Sequence, residues 1–387
     1  MAGKIRIGIV GMGAAGWAFV PAIRGNPGFE LAAVAEPDAS MRETAAAETS
    51  ATPYPDLPSM LQGGALDAVY IATPTELHPQ HVAMVCQARK HVLTEKPMAI
   101  RVDQAKDMVE AAKRAGVVLQ VGHSHSYDLP IAKMREIVAS GSLGRVGMIH
   151  TWNFTDWMAR PRRAAELDVD QGGGVTYRQG AHQIDILRLI GGGLVKSVRA
   201  TMFDWDQNRR SIGAHTIFLN FTDGTSATAI YNGYGHFSGA ELTSGVGEWG
   251  DETRPQPASQ PSAPPSPEEA VVAKRKRART AIPVNAPHQP HFGLTLVSCE
   301  RGDIRQSPDG LLVYSDKGRQ EIVLPKNRSP RDLVIEEFAQ TIAGKRTTHT
   351  GEWGLANLEV CAAAIESSRT GREIELKHQV AAASTTE

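Results

Sequence analysis

The chain has 387 residues, 41% of them hydrophobic and 21% charged, with a formal net charge of −1. That length gives room for two or three domains with real cores, and near-neutrality leaves no general electrostatic case for a nucleic acid or a membrane surface as partner. Three widely spaced cysteines, Cys86, Cys299 and Cys361, argue against a disulfide scaffold and offer no zinc spacing. No apolar run reaches the ~18 residues of a membrane span, and the first residues lack a signal peptide's apolar core, so a soluble, cytoplasmic protein is expected.

The first predicted element is a strand carrying Ile5, Ile7, Ile9 and Val10, which runs into Gly11-Met12-Gly13-Ala14-Ala15-Gly16, a G-x-G-x-x-G. In this pattern the first glycine permits a tight turn and the second lets backbone approach a pyrophosphate. The third lets the next helix, expected over Trp17–Arg24, pack close to the strand. The N–H groups at that helix N-terminus then face the phosphates. A second strand, Leu31–Ala35, ends in Glu36, 20 residues after Gly16. A carboxylate there suits the adenosine ribose hydroxyls and favours NAD, because it repels a 2′-phosphate. Arg42, inside the following helix, keeps NADP open.

Strands at Asp67–Ala72, His91–Thr94 and Val117–Val121 alternate with helices over Ser40–Thr49, Pro79–Arg89 and Val102–Ala115. That alternation reads as a doubly wound parallel sheet over residues 1–123. Ligands of such sheets bind beyond the carboxyl ends of the strands. Gly11–Gly16, Glu36, Thr73–His78, Glu95–Pro97 and Gly122–His125 are therefore expected to face one crevice.

From Tyr127 the pattern changes. A helix over Leu129–Ser140 leads to a strand within Gly144–Phe154, then to a loop holding Arg160, Arg162 and Arg163. The glycine cluster Gly172–Gly174 precedes an amphipathic helix with Arg178, His182 and Asp185, ending near Gly191. Strands over Val195–Phe203, Ala214–Phe221, Thr225–Tyr231, Gly293–Cys299, Gly302–Gln306, Gly310–Ser315 and Glu321–Leu324 describe a large, open, mostly antiparallel sheet. Helices over Asp332–Gly344 and Trp353–Arg369 close the chain. The expected division is a dinucleotide-binding domain over residues 1–123, a substrate-binding and oligomerisation α/β domain over 124–375, and a loose tail over 376–387. Residues from about 250 to 290 hold a proline-rich stretch and the basic run Lys274–Arg279. They carry too few apolar side chains to repay ordering and read as a mobile, solvated excursion.

Gly8–Gly16, Asp67–Pro74 with His78, His91–Pro97, Gly141–Gly144 and Gly172–Asp185 together resemble the glucose–fructose oxidoreductase/inositol dehydrogenase/MocA (Gfo/Idh/MocA) family of nicotinamide-dependent oxidoreductases. The resemblance spans nearly the whole chain, the proline-rich insert excepted. It implies an N-terminal Rossmann domain that binds NAD and a C-terminal α/β domain with substrate on one face of its sheet. The other face often meets a partner subunit, so a homodimer or homotetramer is expected.

The resemblance also implies roles for single residues. Lys96 hydrogen-bonds the substrate hydroxyl and takes or relays its proton, which needs desolvation or cationic neighbours to lower its pKa. His182 is the general base, and Asp185 orients or supports the site. Thr73, Pro74 and His78 line the ribose–nicotinamide side of the cofactor, with Glu95 near the nicotinamide ribose. His123 and His125 are further substrate candidates.

The chain departs from inositol-type members in one place. They carry an aspartate four residues before the histidine, where this chain has Arg178. A guanidinium there disfavours a neutral polyol and suits a substrate carboxylate, which it can bind in a bidentate way. Arg160, Arg162 and Arg163 are further candidates for that task. His123, His125, His182 and Asp185 are metal-ligand types without a metal spacing, so no metal is expected. Within the family, Trp152–Asp156, Arg160–Arg163, Glu166–Asp168 and His291–Gly310 are similar to members that oxidise cis-dihydrodiols of aromatic carboxylic acids, with phthalate 4,5-cis-dihydrodiol the leading substrate. A sugar, inositol or uronate dehydrogenase and a non-catalytic NAD(P)-binding sensor stay open.

Overall fold

The computed structural model describes residues 3–253, Ser266, Glu269 and residues 286–384. Most of the expected excursion, its basic run Lys274–Arg279 included, lies outside the described residues. The chain divides into two compact units.

The first unit holds a parallel sheet built from β1 (Ile5–Val10), β2 (Phe29–Ala35), β3 (Thr52–Tyr54), β4 (Ala68–Ile71), β5 (His91–Thr94) and β6 (Leu119–Val121). Its order is β3-β2-β1-β4-β5-β6. Helices α1 (Ala14–Gly25), α2 (Ala39–Thr49), α3 (Leu57–Gly63), α4 (His78–Gln87) and α5 (Val102–Ala115) connect the strands. Ile7, Ile9, Val69, Tyr70, Ile71, Val92 and Leu93 are fully buried, as continuous apolar strands must be when helices cover both faces. Asp38 and Asp56 cap α2 and α3 by accepting from Met41 N and Ser59 N. The strand β3 was not expected. It is three residues long, contains Pro53 and lies at the sheet edge, where a residue without an N–H is tolerated.

The expected boundary needs a correction. Arg331–Leu358 belongs to this first unit, not to the second. Gln120 Nε2 donates to Val334 O at 3.1 Å, and Phe338 stacks on Phe29 at 6.4 Å. Val121 N donates to His349 O, and Gly354 packs so tightly on Val121 that it has no room for a Cβ. Reading elements in chain order cannot show that the chain returns.

The second unit is organised on β7 (Val146–Phe154), β8 (Val195–Phe203), β9 (Ala214–Phe221), β10 (Ser226–Asn232), β11 (Leu294–Cys299), β12 (Gly302–Ser307), β13 (Gly310–Ser315), β14 (Gly318–Val323) and β15 (Ile374–Glu375). Their order is β14-β13-β12-β11-β7-β10-β9-β8-β15, antiparallel throughout except for β7 against β10. Its helices include α6 (Leu129–Ser140), α7 (Ala164–Leu167) and α8 (Ala181–Ile190). Alternation sets the faces: Ala227, Ala229 and Tyr231 of β10 are buried, while Met148, Trp152 and Phe218 remain 48%, 37% and 39% exposed on the other face.

Two further expectations change. Every residue of α8 is buried, so the helix read as amphipathic is enclosed on all sides. Its polar side chains find interior partners instead of water; Gln183 Nε2, for example, donates to Ile230 O at 3.0 Å. The tail is also not loose as far as residue 384. The Glu359 carboxylate accepts from Lys377 N, His378 N and Gln379 Nε2, and Ala382 N donates to Gly192 O at 3.0 Å. Among the described residues no helix is long and apolar enough to cross a membrane.

Candidate active site

In the first unit the three glycines of the β1–α1 turn do separate things. Gly11 sits at φ +92°, where a Cβ would lie 2.8 Å from Ala72 O. A Cβ on Gly16 would fall on the Gly11 carbonyl oxygen, so helix and strand can meet only with glycine there. A Cβ on Gly13 would meet nothing within 4 Å. This glycine lines open space at the start of α1, a cradle that a pyrophosphate fits. The turn lies where the strand order reverses, between β1 and β4. Glu36, ending β2, reaches back to it: Oε2 accepts from Met12 N at 2.8 Å and Oε1 from Asp38 N at 3.2 Å. Arg42 Nη1 donates to the Glu36 carbonyl at 2.6 Å and to the Pro37 carbonyl at 3.1 Å, so its guanidinium folds over the segment that follows β2.

Around the ends of β4 and β5, Glu95 Oε1 accepts from Tyr70 OH at 2.7 Å, and Oε2 accepts from Lys96 N at 3.2 Å. Burial, together with the Glu95 charge, pushes the Tyr70 hydroxyl well above its usual range. Tyr70 therefore serves Glu95 as a neutral donor. Lys96 follows β5, is half-buried and precedes Pro97 through a cis bond. Thr73 Oγ1 pairs with His81 Nδ1 at 3.1 Å.

Two of the candidate histidines are buried and held by hydrogen bonds within the first unit. His78 is buried, with Nδ1 at 3.1 Å from Pro97 O and Nε2 at 2.9 Å from Thr73 O. It pins the segments after β4 and β5 to each other. His123 is also buried, and its Nε2 accepts from Asn357 Nδ2 at 3.1 Å. The ring is thereby fixed within the first unit.

The second unit brings His125 and His182 together. Their rings meet edge to face, with centroids 4.7 Å apart and an interplanar angle of 82°. Phe292 stacks on His125 at 4.4 Å and lies 5.0 Å from His182, while Trp249 lies 4.9 Å from His125. Asp128 stands at the N-terminus of α6 but does not cap it. Its carboxylate turns instead to His125 Nδ1 at 3.1 Å, while Glu248 Oε1 lies 3.4 Å from Nε2. Burial alone would lower the His125 pKa, but these two carboxylates more than offset it and raise it. The two carboxylates thus favour the protonated form of His125, which is held against His182. On α8, Asp185 is wholly buried three residues from His182. One turn further on, burial brings Arg188 down to about 10, against the pull of Asp185 and Glu359. Arg178 is half-buried on the π-helical turn Thr176–Gly180 that leads into α8.

The three loop arginines separate. Arg160 Nε donates to Asp156 Oδ1 at 2.6 Å and also feels Glu248, which together hold its pKa up against burial. Arg163 Nε lies 3.7 Å from Glu166 Oε2. The Arg162 guanidinium sits 4.3 Å over the Trp157 ring. Asp128, Glu248, Trp249 and Phe292 escaped the sequence reading. The first had a signal, His125-x-x-Asp128 at a turn-to-helix junction ahead of Pro130. The other three flank the excursion, where composition carries no hint of contact. Among the described residues, no group of three or more His, Cys, Asp or Glu could hold a metal ion.

The parallel sheet, the glycine turn and the Glu36 carboxylate define a dinucleotide-binding Rossmann unit. Residues 5–123 match the oxidoreductase family with an NAD-binding Rossmann fold, and residues 131–239 match the GFO/IDH/MocA C-terminal domain. The chain is 35% identical over 378 residues to the 1-carboxy-3-chloro-3,4-dihydroxycyclo hexa-1,5-diene dehydrogenase of Comamonas testosteroni, covering 94% of this chain and 95% of that protein. It shares 37% identity and a TM-score of 0.90 with a crystal structure from Bordetella bronchiseptica RB50, described provisionally as a dehydrogenase, over 96% of this chain and all of that one. The WlbA dehydrogenase of Bordetella pertussis, in complex with NADH and UDP-GlcNAcA, shares the fold at 22% identity and a TM-score of 0.71, over 97% of this chain and 99% of that one. The chain belongs to the Gfo/Idh/MocA family and is an NAD-dependent oxidoreductase.

Proposed function

We propose that the chain oxidises a cis-dihydrodiol of an aromatic carboxylic acid, phthalate 4,5-cis-dihydrodiol being the first candidate. The observation that carries this reading is the second unit's buried histidine pair, walled by Phe292 and Trp249. Flat aromatic faces stacked on His125, whose protonated form two carboxylates favour, suit a ring that bears a carboxylate. Near-full-length similarity to a dehydrogenase named for a carboxylated dihydroxycyclohexadiene supports the same class.

NAD, when bound, supplies a hydride acceptor. Lys96 and His182 hydrogen-bond the reacting hydroxyl and take its proton as the carbinol hydrogen leaves with its electron pair. The diol becomes a hydroxy-ketone, which tautomerises to a catechol, and aromaticity makes the oxidation one-way. Arg178 binds one of the two carboxylates of the phthalate ring. The exposed Met148, Trp152 and Phe218 support assembly into a homodimer or homotetramer through that sheet face, which light scattering would test. Three free cysteines accord with a cytoplasmic location.

The test is NADH formation from phthalate cis-4,5-dihydrodiol beside a panel of polyols and uronates, with the Arg178→Ala variant in parallel. Turnover of the dihydrodiol that collapses in the variant is expected. Turnover of a polyol or uronate alone would replace the substrate, and NADH binding without turnover of any would point to a sensor.

A further inference from the structure

In the His125 cluster the groups differ in their access to water. The side chains of His125 and Asp128 are each 1% exposed, while that of Glu248 is 28% exposed. Glu248 stands on a turn closed by Gly250 N donating to Gly247 O at 3.1 Å. The turn is tied across the excursion by His288 N to Gly250 O at 3.1 Å and by His291 N to Gly247 O at 3.3 Å. The backbone is thus fixed, and moving the Glu248 carboxylate requires only a side-chain swing toward water. Its carboxylate acts on two cations, His125 and Arg160, and on the Tyr231 hydroxyl, whose hydrogen bond goes to Thr155 Oγ1 at 2.8 Å.

We propose that His125 and Arg160 form the substrate-carboxylate subsite and that Glu248 fills it as an internal stand-in, swinging out when a carboxylated ring enters beside Trp249 and Phe292. This rests on the reading of the substrate as a carboxylate. Charge balance argues for exchange over addition. His125 and Arg160 already face three carboxylates, Asp128, Asp156 and Glu248. A substrate carboxylate that replaces Glu248 leaves that balance as it is, whereas one that joins it adds a second uncompensated negative charge to a largely buried cluster. Exchange also fits the geometry at the imidazole: Nδ1 of His125 stays with Asp128 while the carboxylate at Nε2 is replaced.

An internal competitor costs apparent affinity. A carboxylate tethered this closely has an effective concentration in the millimolar range or above, and the apparent Kd is the intrinsic Kd divided by the fraction of molecules in which Glu248 has left the subsite, so a vacated fraction of about one tenth raises it about tenfold. Glu248→Gln keeps the shape and removes the charge, so a carboxylated ring is expected to bind about tenfold more tightly.

The experiment is calorimetric titration of the full chain with phthalate, and with its uncharged diamide, in the wild type, Glu248→Gln and Glu248→Ala. Both variants should tighten phthalate about tenfold and leave the diamide unchanged, with KM for the dihydrodiol falling alongside. Equal or weaker phthalate binding in both variants would overturn the proposal and make Glu248 a holder of His125. So would failure of phthalate to bind any of the three proteins. Binding is read without turnover, so the two ideas fail separately. Tighter phthalate with no dihydrodiol oxidation would leave the subsite standing and discard the reaction; turnover with an unmoved Kd would do the reverse.

Discussion

Replacing Gly13 and Gly16 separately with alanine should produce opposite effects from the same added methyl group. Gly13 has φ −75° at the N-cap of α1, a conformation open to any residue, and its Cβ would meet nothing within 4 Å. Alanine is a poorer N-cap by a few tenths to about 1 kcal/mol, and the lost unfolded-state freedom returns about 0.4–1 kcal/mol. The fold should be within about 1 kcal/mol of wild type, or roughly 2–4 °C in Tm for a unit of this size. The methyl instead enters the space assigned to the pyrophosphate. Losing one hydrogen bond to a charged oxygen costs about 1.5–3 kcal/mol, so NADH should bind roughly 10- to 100-fold more weakly. At Gly16 the methyl would overlap the Gly11 carbonyl oxygen. Overpacking of that kind costs about 1–3 kcal/mol or more, so the ligand-free Tm itself should fall by several degrees. Thermal unfolding without ligand and calorimetric titration with NADH separate the two effects. Unchanged NADH affinity in Gly13→Ala would mean that the phosphates do not pass over Gly13, and an unchanged Tm in Gly16→Ala would refute the close packing of α1 on β1.

Lys96→Ala should lower kcat by about 10²-fold or more while NADH binding is retained, as expected of a proton-transfer residue; unchanged turnover in a stopped-flow assay would remove it from the chemistry. Burial takes His215 down to about 3 and His291 to about 4, against about 6.5 in an unfolded chain. The unfolded state therefore binds these protons first. Their contribution is complete above about pH 6.5 and is lost as pH falls toward the folded values, by about 2 kcal/mol per histidine between pH 7 and pH 5. His125, raised by Asp128 and Glu248, works in the opposite sense. Denaturant titration of His215→Gln should show a smaller loss between those pH values than wild type, and an equal loss would contradict the assignment. Ending the chain after Leu376 strips Glu359 of its Lys377, His378 and Gln379 donors and Arg188 of its Gln379 contact. Loosening a buried charged pair of this kind costs about 3–5 kcal/mol, so the truncated chain should melt roughly 10 °C lower; an unaltered Tm would show that the tail is dispensable.

The dinucleotide half of the chain was legible because its logic is local. Gly11, Gly13, Gly16 and Glu36 act through the backbone beside them, so spacing alone conveys turn, cradle and close approach. His123 and His125 show where local reading stops. They are two residues apart, yet one settles against Asn357 in the first unit and the other against Asp128, Glu248 and His182 in the second. Only Asp128 lies within a short window of either; Asn357 is 234 residues from His123, and His182 and Glu248 are likewise far from His125 in sequence. The same holds for Arg331–Leu358, whose place in the first unit depends on Val334, Phe338 and His349 meeting strands laid down at the start of the chain.

The misreading of α8 has a different cause, and it bears on how sites of this kind are found. Periodicity assigns polar side chains to water, so His182, Gln183, Asp185 and Arg188 made the helix look amphipathic. All four are buried. Gln183 bridges Ile230 O and His215, and Arg188 meets Gln379. A helix can afford so many buried polar groups only if each is matched by a partner from elsewhere in the fold, and matching of that kind narrows what can be substituted. A chain carries that constraint where it needs groups held away from water in a set arrangement, which is what the role proposed for His182 beside His125 requires. A polar stripe that proves to be buried is therefore itself a pointer to the site, and in this chain it falls on the helix that carries His182, the proposed general base.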